Sequence, residues 1–214
     1  MRSRSVVSGA VILTLFSHLF IPSASATESL DAPPTSEVVV DVVAVNGTGC
    51  PPGTAGISVS PDNTTFTVTY DQYLARLGVG AAPTDFRKSC QLNMGMHVPD
   101  GYTYAISRAE FRGFASLAAG ATGRQRAGYY FAGQVPTPFH LHTFTGPLED
   151  EWQTVDEIGE ADMIFHPCGA QRNLNISTEL RVLAGTSDPA TSTSSLAMKS
   201  SASTIYHLQW KHCA

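Results

Sequence analysis

Apolar and threonine residues alternate without a break in Thr65-Phe66-Thr67-Val68-Thr69-Tyr70, which puts Phe66, Val68 and Tyr70 on one face of a strand. Gly56-Ile57-Ser58-Val59-Ser60 alternates too, and Pro61-Asp62-Asn63-Thr64 between the two runs supplies turn chemistry, so the pattern predicts a hairpin. Further on, Leu174, Ile176, Thr178, Leu180 and Val182 share one face, and Asn175, Ser177, Glu179 and Arg181 the other. The C-terminal segment points Tyr206, Leu208 and Trp210 inward. The β-branched run Val38 to Val45 predicts a strand buried on both faces. Between Tyr102 and Gln134 the spacing of Ala109, Phe111, Phe114 and Leu117 suits a helix, but Gly113, Gly120 and Tyr129-Tyr130-Phe131 favour long strands. The serine-rich stretch Thr186 to Thr204 reads as loops around one short strand at Leu196-Ala197-Met198. Many short strands with turns between them predict an all-β antiparallel sandwich or jelly roll. It forms a single domain over 37–214, behind a flexible Pro-containing lead-in over 27–36.

The first residues read differently. Arg2 and Arg4 precede an apolar run from Val6 to Ile21 that closes with Ala24-Ser25-Ala26, the three parts of a secretory signal over 1–26. The run is short for a membrane span, and no later run approaches that length, so no membrane span is expected after processing. Export carries the mature chain to a compartment where thiols oxidise. The whole chain has a net charge of −5, and losing Arg2 and Arg4 takes this to −7. Such a surface repels phosphate backbones and argues against nucleic acid as a partner.

All four cysteines, Cys50, Cys90, Cys168 and Cys213, lie beyond the leader. An even count in an exported chain reads as two disulfides with three possible connectivities. Cys50–Cys90 and Cys168–Cys213 are favoured, because each pair ties neighbouring segments within its own half. Three acceptor sequons begin at Asn46, Asn63 and Asn175, N-glycosylation candidates in a host that uses them. The face pattern predicts that the Asn175 side chain meets solvent.

Several ordered motifs carry a family resemblance: Asn46-Gly47-Thr48-Gly49-Cys50-Pro51, Arg87-Lys88-Ser89-Cys90-Gln91-Leu92-Asn93, His142-Thr143-Phe144-Thr145-Gly146-Pro147, Pro167-Cys168-Gly169 and the closing Trp210-Lys211-His212-Cys213. From Val38 to the C-terminus the chain resembles the exported domain of unknown function 4360 family of actinobacteria and fungi. The resemblance implies a small secreted domain with this cysteine framework, and brings no catalytic residues with it.

His140-Leu141-His142 is the most suggestive local chemistry, since alternation points both imidazoles to one face, where a divalent metal can sit. His166 or Glu149 would supply a third ligand. The pattern resembles the cupin arrangement but departs from it. Glu149 lies seven positions after His142, beyond Gly146-Pro147, and Arg172 stands where a second-segment histidine is expected. Seven acids crowd Glu149 to Asp162. Their spacing does not match an EF-hand loop, so they read as a solvated acidic loop. Trp152 within it is a candidate for stacking on a sugar ring, or else a core anchor. The chain contains no GxSxG elbow and no HExxH, while a glycosidase carboxylate pair leaves no local signature.

These observations predict a secreted, disulfide-stapled β-sandwich that binds an extracellular glycan or protein without a cofactor and without catalysis. Its binding surfaces are expected in loops such as 119–126 and 146–160. The alternative is a cupin-like enzyme with a divalent metal at His140 and His142.

Overall fold

The computed structural model describes residues 30–134, 139–198 and 204–213. The leader expected over 1–26 lies outside the described residues. The strands are β1 (Val39–Asn46), β2 (Ala55–Val59), β3 (Thr65–Tyr70), β4 (Leu74–Gly78), β5 (Arg87–His97) and β6 (Tyr102–Leu117). They continue with β7 (Thr122–Phe131), β8 (His140–Thr145), β9 (Leu148–Glu157), β10 (Leu174–Leu183), β11 (Thr193–Met198) and β12 (Thr204–His212). One 3-10 turn, Glu160–Asp162, follows β9.

All the strand pairs are antiparallel and fall into two sheets. One has the order β1-β5-β10-β7-β8. The other runs β2-β3-β12-β6, with β9 along the far edge of β6. On its near edge β6 pairs β12 over residues 102–110 and β11 over 113–116, and β11 in turn pairs β4.

Between the sheets lies one core, to which the paired strands contribute alternate residues. From the five-stranded sheet come Leu92 and Met94 on β5, Ile176, Leu180 and Val182 on β10, and Tyr129 and Phe131 on β7. They meet Phe66, Val68, Tyr104, Phe111, Tyr206 and Trp210 of the other sheet. Ring pairs cross the gap, with Tyr104 edge-on to Phe131 at 5.4 Å and Tyr129 to Tyr206 at 6.0 Å. The Tyr73 hydroxyl meets Thr178 Oγ1 at 3.1 Å. Burial pushes the Tyr70 hydroxyl up to about 12, and raises Tyr73, Tyr104 and Tyr206 as well. All four therefore stay protonated in the ordinary pH range.

The disulfides join Cys50 to Cys90 and Cys168 to Cys213, with Cα separations of 5.3 and 5.8 Å. The first fastens the segment after β1 to β5, and the second fastens the connection before β10 to the end of β12.

Three expectations change. The β-branched run is not buried on both faces: β1 is an edge strand paired only to β5, and Val39, Val42 and Val43 are exposed. The acidic stretch is a strand over most of its length, not a loop. On β9, Trp152, Thr154 and Asp156 turn inward while Glu149, Glu151 and Glu157 face out, an alternation hidden because the inward set is chemically mixed. Part of the lead-in is tied down. Asp31 bridges Trp210 and accepts from the His212 N–H at 2.7 Å, and the Pro34 and Ser36 carbonyls accept from Asn63 Nδ2 at 2.9 Å each.

Candidate binding face and buried polar cluster

The two histidines of His140-Leu141-His142 share the inward side of β8, as alternation requires, with Leu141 facing out. Their surroundings differ from a metal cage. His142 Nε2 lies 2.6 Å from Asp156 Oδ1 on β9, and the Tyr129 hydroxyl donates to Asp156 Oδ2 at 2.5 Å. A carboxylate can only accept, so Nε2 carries the imidazole proton. Burial, with the Asp156 charge and hydrogen bond adding to it, raises the Tyr129 pKa well above that of a free phenol. His140 lies against the Tyr129 ring at 5.9 Å.

His166 sits elsewhere. It stacks on Tyr104 at 5.5 Å, meets Phe131 edge-on, and accepts from the Arg172 N–H at 3.4 Å. It borders a cleft of about 360 Å³ beside the Cys168–Cys213 bond, lined also by His97, Asp100, Arg172 and Asn173. Glu149 is exposed on the outer side of β9. The proposed ligands are thus not brought together. Among the described residues no three His, Cys, Asp or Glu side chains are grouped to hold a metal ion.

Trp152 is 7% exposed and packs on Phe144 at 5.1 Å. A Cβ on Gly113 would lie 2.3 Å from its ring, so the indole needs glycine beneath it. This is the core-anchor alternative; the ring offers no surface for a sugar. The loops expected to bind are largely strand, since β7 takes 122–126 and β9 takes 148–157.

The sequons also separate. Asn46 is exposed. Asn63 is 3% exposed in the β2–β3 turn with φ of 55°. Besides the lead-in carbonyls, its Oδ1 accepts from the Val38 N–H at 3.1 Å and its carbonyl accepts from Trp210 Nε1 at 2.9 Å. Asn175, expected at the surface, is 6% exposed. It does lie on the outer side of β10, yet β10 is the central strand, and Asn93 Nδ2 donates to its Oδ1 at 2.7 Å from β5.

What local reading missed is the outer face of the five-stranded sheet. Cross-strand register sets Arg87 on β5 beside Arg181 on β10, and Arg181 beside Arg124 on β7. Two residues along, Glu179 lies beside Arg126, which faces Leu141 on β8. Four of the eight arginines beyond residue 26 therefore share this face, and three of them surround one nearly buried carboxylate. Glu179 pairs with Arg87, with Arg126 at 3.3 Å and with Arg181 at 3.6 Å.

The guanidiniums are propped by rings. Arg126 lies 4.3 Å over Phe139 and Arg181 5.9 Å over Phe86. Phe139 rests on β7 at Gly128, where a Cβ would lie 3.0 Å from the ring. Between them is a recess of about 340 Å³ lined by Arg87, Gln91, Arg126, Phe139, Ser177 and Glu179. Phe139 and Leu141 are 48% and 55% exposed. Asp41, an acid on the same sheet, is rows away and sits 2.7 Å from His97. The outer side of the opposite sheet differs: Arg108 and Arg112 are matched by Glu110 and Glu157.

Fold and face together define a disulfide-stapled β-sandwich with one basic, partly apolar sheet surface. A family profile described as Domain of unknown function (DUF4360) matches residues 36–213, and the chain belongs to that family. It is 33% identical over 183 residues to an "Uncharacterized secreted protein" of Arthroderma benhamiae, covering 86% of this chain and 75% of that one. The chain is a secreted protein, in keeping with its two disulfides. Among the described residues no helix is long and apolar enough to cross a membrane.

Proposed function

We propose that the protein acts by binding an extracellular partner, a surface glycan or a protein of a host or neighbouring organism, through the outer face of the β1-β5-β10-β7-β8 sheet. Such a role suits a secreted effector. The observation that carries this reading is the gathering of Arg87, Arg124, Arg126 and Arg181 beside exposed Phe139 and Leu141. A chain of net charge −5 that concentrates half its exported arginines on one sheet gains no folding advantage from like charges set side by side. Functional groups mounted on paired strands are held in fixed positions, which lowers the ordering cost of binding.

The test compares wild type with Arg124→Ala/Arg126→Ala on a glycan array and in pull-downs from extracellular extracts. Partners retained by wild type and lost by the double variant support the face. Partners retained equally by both would move the function elsewhere on the molecule. Titration of chelator-treated protein with zinc and copper, against His142→Ala, tests the metal alternative in the same preparations.

A further inference from the structure

We infer that this face takes a linear acidic polysaccharide carrying carboxylates, a polyuronate, laid across the strands. The inference rests on the binding reading above and names its occupant. Arg87, Arg181 and Arg124 stand on three neighbouring strands in one register row, so their Cα atoms are offset by about 5 Å, the strand spacing, and the Arg87, Arg126 and Arg181 side chains converge on Glu179. A polymer with one carboxylate per sugar carries enough charge along its length to place several carboxylates within reach of this cluster at once.

Four arginines against Glu179 leave the patch at +3. The rest of the molecule is acidic and repels the same polymer, which confines it to this sheet. Guanidinium matches carboxylate as a two-pronged donor. Glu179 accepts from single N–H donors of Arg87 and Arg126 and lies 3.6 Å from Arg181, which holds these guanidiniums in place before any ligand arrives. Arg126 stacked on Phe139 is likewise fixed in advance. The exposed Phe139 ring and Leu141 offer apolar surface to the C–H faces of sugar rings beside the charges. The recess at Glu179 gives a substituent room to enter. Duplex nucleic acid fits less well, because its phosphates lie on a wide cylinder ringed by charge, which meets the acidic remainder of the protein.

The experiment is affinity electrophoresis and titration calorimetry of the full secreted protein with de-esterified polygalacturonate. Controls are the same polymer fully methyl-esterified, dextran sulfate and a DNA duplex. Binding to the de-esterified polymer is expected, with at least a tenfold loss on methyl esterification and a weakening as salt rises. Arg124→Ala/Arg126→Ala should lose at least tenfold. Arg124→Glu, a reversal at an exposed position, should do the same while leaving the melting temperature unchanged, so a fold defect in the double variant does not blur the result. Equal binding of esterified and de-esterified polymer, stronger binding of dextran sulfate or DNA, or no effect of Arg124→Glu overturns the polyuronate assignment. If polyuronate fails yet another glycan or protein is retained in an Arg126-dependent way, the face stands and only its occupant changes. If no partner depends on Arg124 or Arg126, both readings fall.

Discussion

Asp156 of β9 and His142 of β8 meet at 2.6 Å across the seam where the edge of one sheet passes the edge of the other. The two strands are joined by the short turn at Gly146-Pro147, yet they belong to different sheets. The carboxylate is wholly buried and also takes the Tyr129 hydroxyl, so one acid ties β7, β8 and β9 together. Removing it would strand the buried Tyr129 hydroxyl and the half-buried His142 imidazole. Asp156→Ala should therefore cost about 3 kcal/mol in urea unfolding, and Asp156→Asn, which keeps one acceptor, distinctly less. A loss below about 1 kcal/mol for the alanine variant would show that the seam is held by packing alone.

Each disulfide closes a long loop, with sequence separations of 40 and 45 residues. On the chain-entropy model either cross-link stabilises the fold by about 4 kcal/mol. Cys50→Ala/Cys90→Ala and Cys168→Ala/Cys213→Ala should each lower the denaturant midpoint by the corresponding amount. Non-reducing peptide mapping should recover Cys50–Cys90 and Cys168–Cys213 and no other pairing.

Asn63 is a structural residue that happens to begin a sequon. Its side chain satisfies one backbone N–H and two carbonyls under near-complete burial, which leaves no exit for a glycan. In material secreted from a glycosylating host, mass spectrometry should find a glycan at Asn46 and none at Asn63 or Asn175. Asn63→Ala should cost roughly 2–4 kcal/mol, from lost bonds and from a backbone φ of 55° that alanine resists.

Trp152 separates core from surface roles. Trp152→Ala should destabilise by about 3–5 kcal/mol through the cavity it leaves, and any glycan affinity that remains measurable should be unchanged. A selective loss of glycan binding at constant melting temperature would reinstate it as a contact residue.

His166 makes stability depend on pH. Burial against Tyr104 and Phe131, helped by the Arg172 charge, holds its pKa below the ordinary 6.5. As pH falls through 6.5, the unfolded chain takes up a proton that the folded one does not, so stability is lost until the folded imidazole also titrates. His166→Gln should flatten this part of the stability–pH curve, as measured by melting temperature between about pH 7.5 and 5. An unchanged slope would assign the dependence to another group.

Where one chemical type sits at alternate positions, strands can be read directly. The β2–β3 hairpin, β10, β11 and β12 are of this kind, and the long strands β6 and β7 follow from glycine and aromatic context. β5 also alternates, with Cys90, Leu92 and Met94 inward, but its lack of β-branched residues conceals it. β9 is hidden because Trp152, Thr154 and Asp156 look like nothing in common until their shared burial is seen. The run at β1 misleads in the opposite direction: valines suit a strand wherever it sits, and the position at a sheet edge is set by which neighbours arrive.

The chain's own order of residues pointed to a secreted protein, cross-linked by two cystines and built from antiparallel strands, because the basic and apolar character of the first residues, cysteine count and alternation are all local or additive properties. Only tertiary structure decided which polar residues are buried and which charges act together. Glu179 and Arg87 lie far apart along the chain, as do Asp156 and Tyr129. Their meeting depends on strand order and register, which arise from the fit of whole faces and leave no mark at any single position.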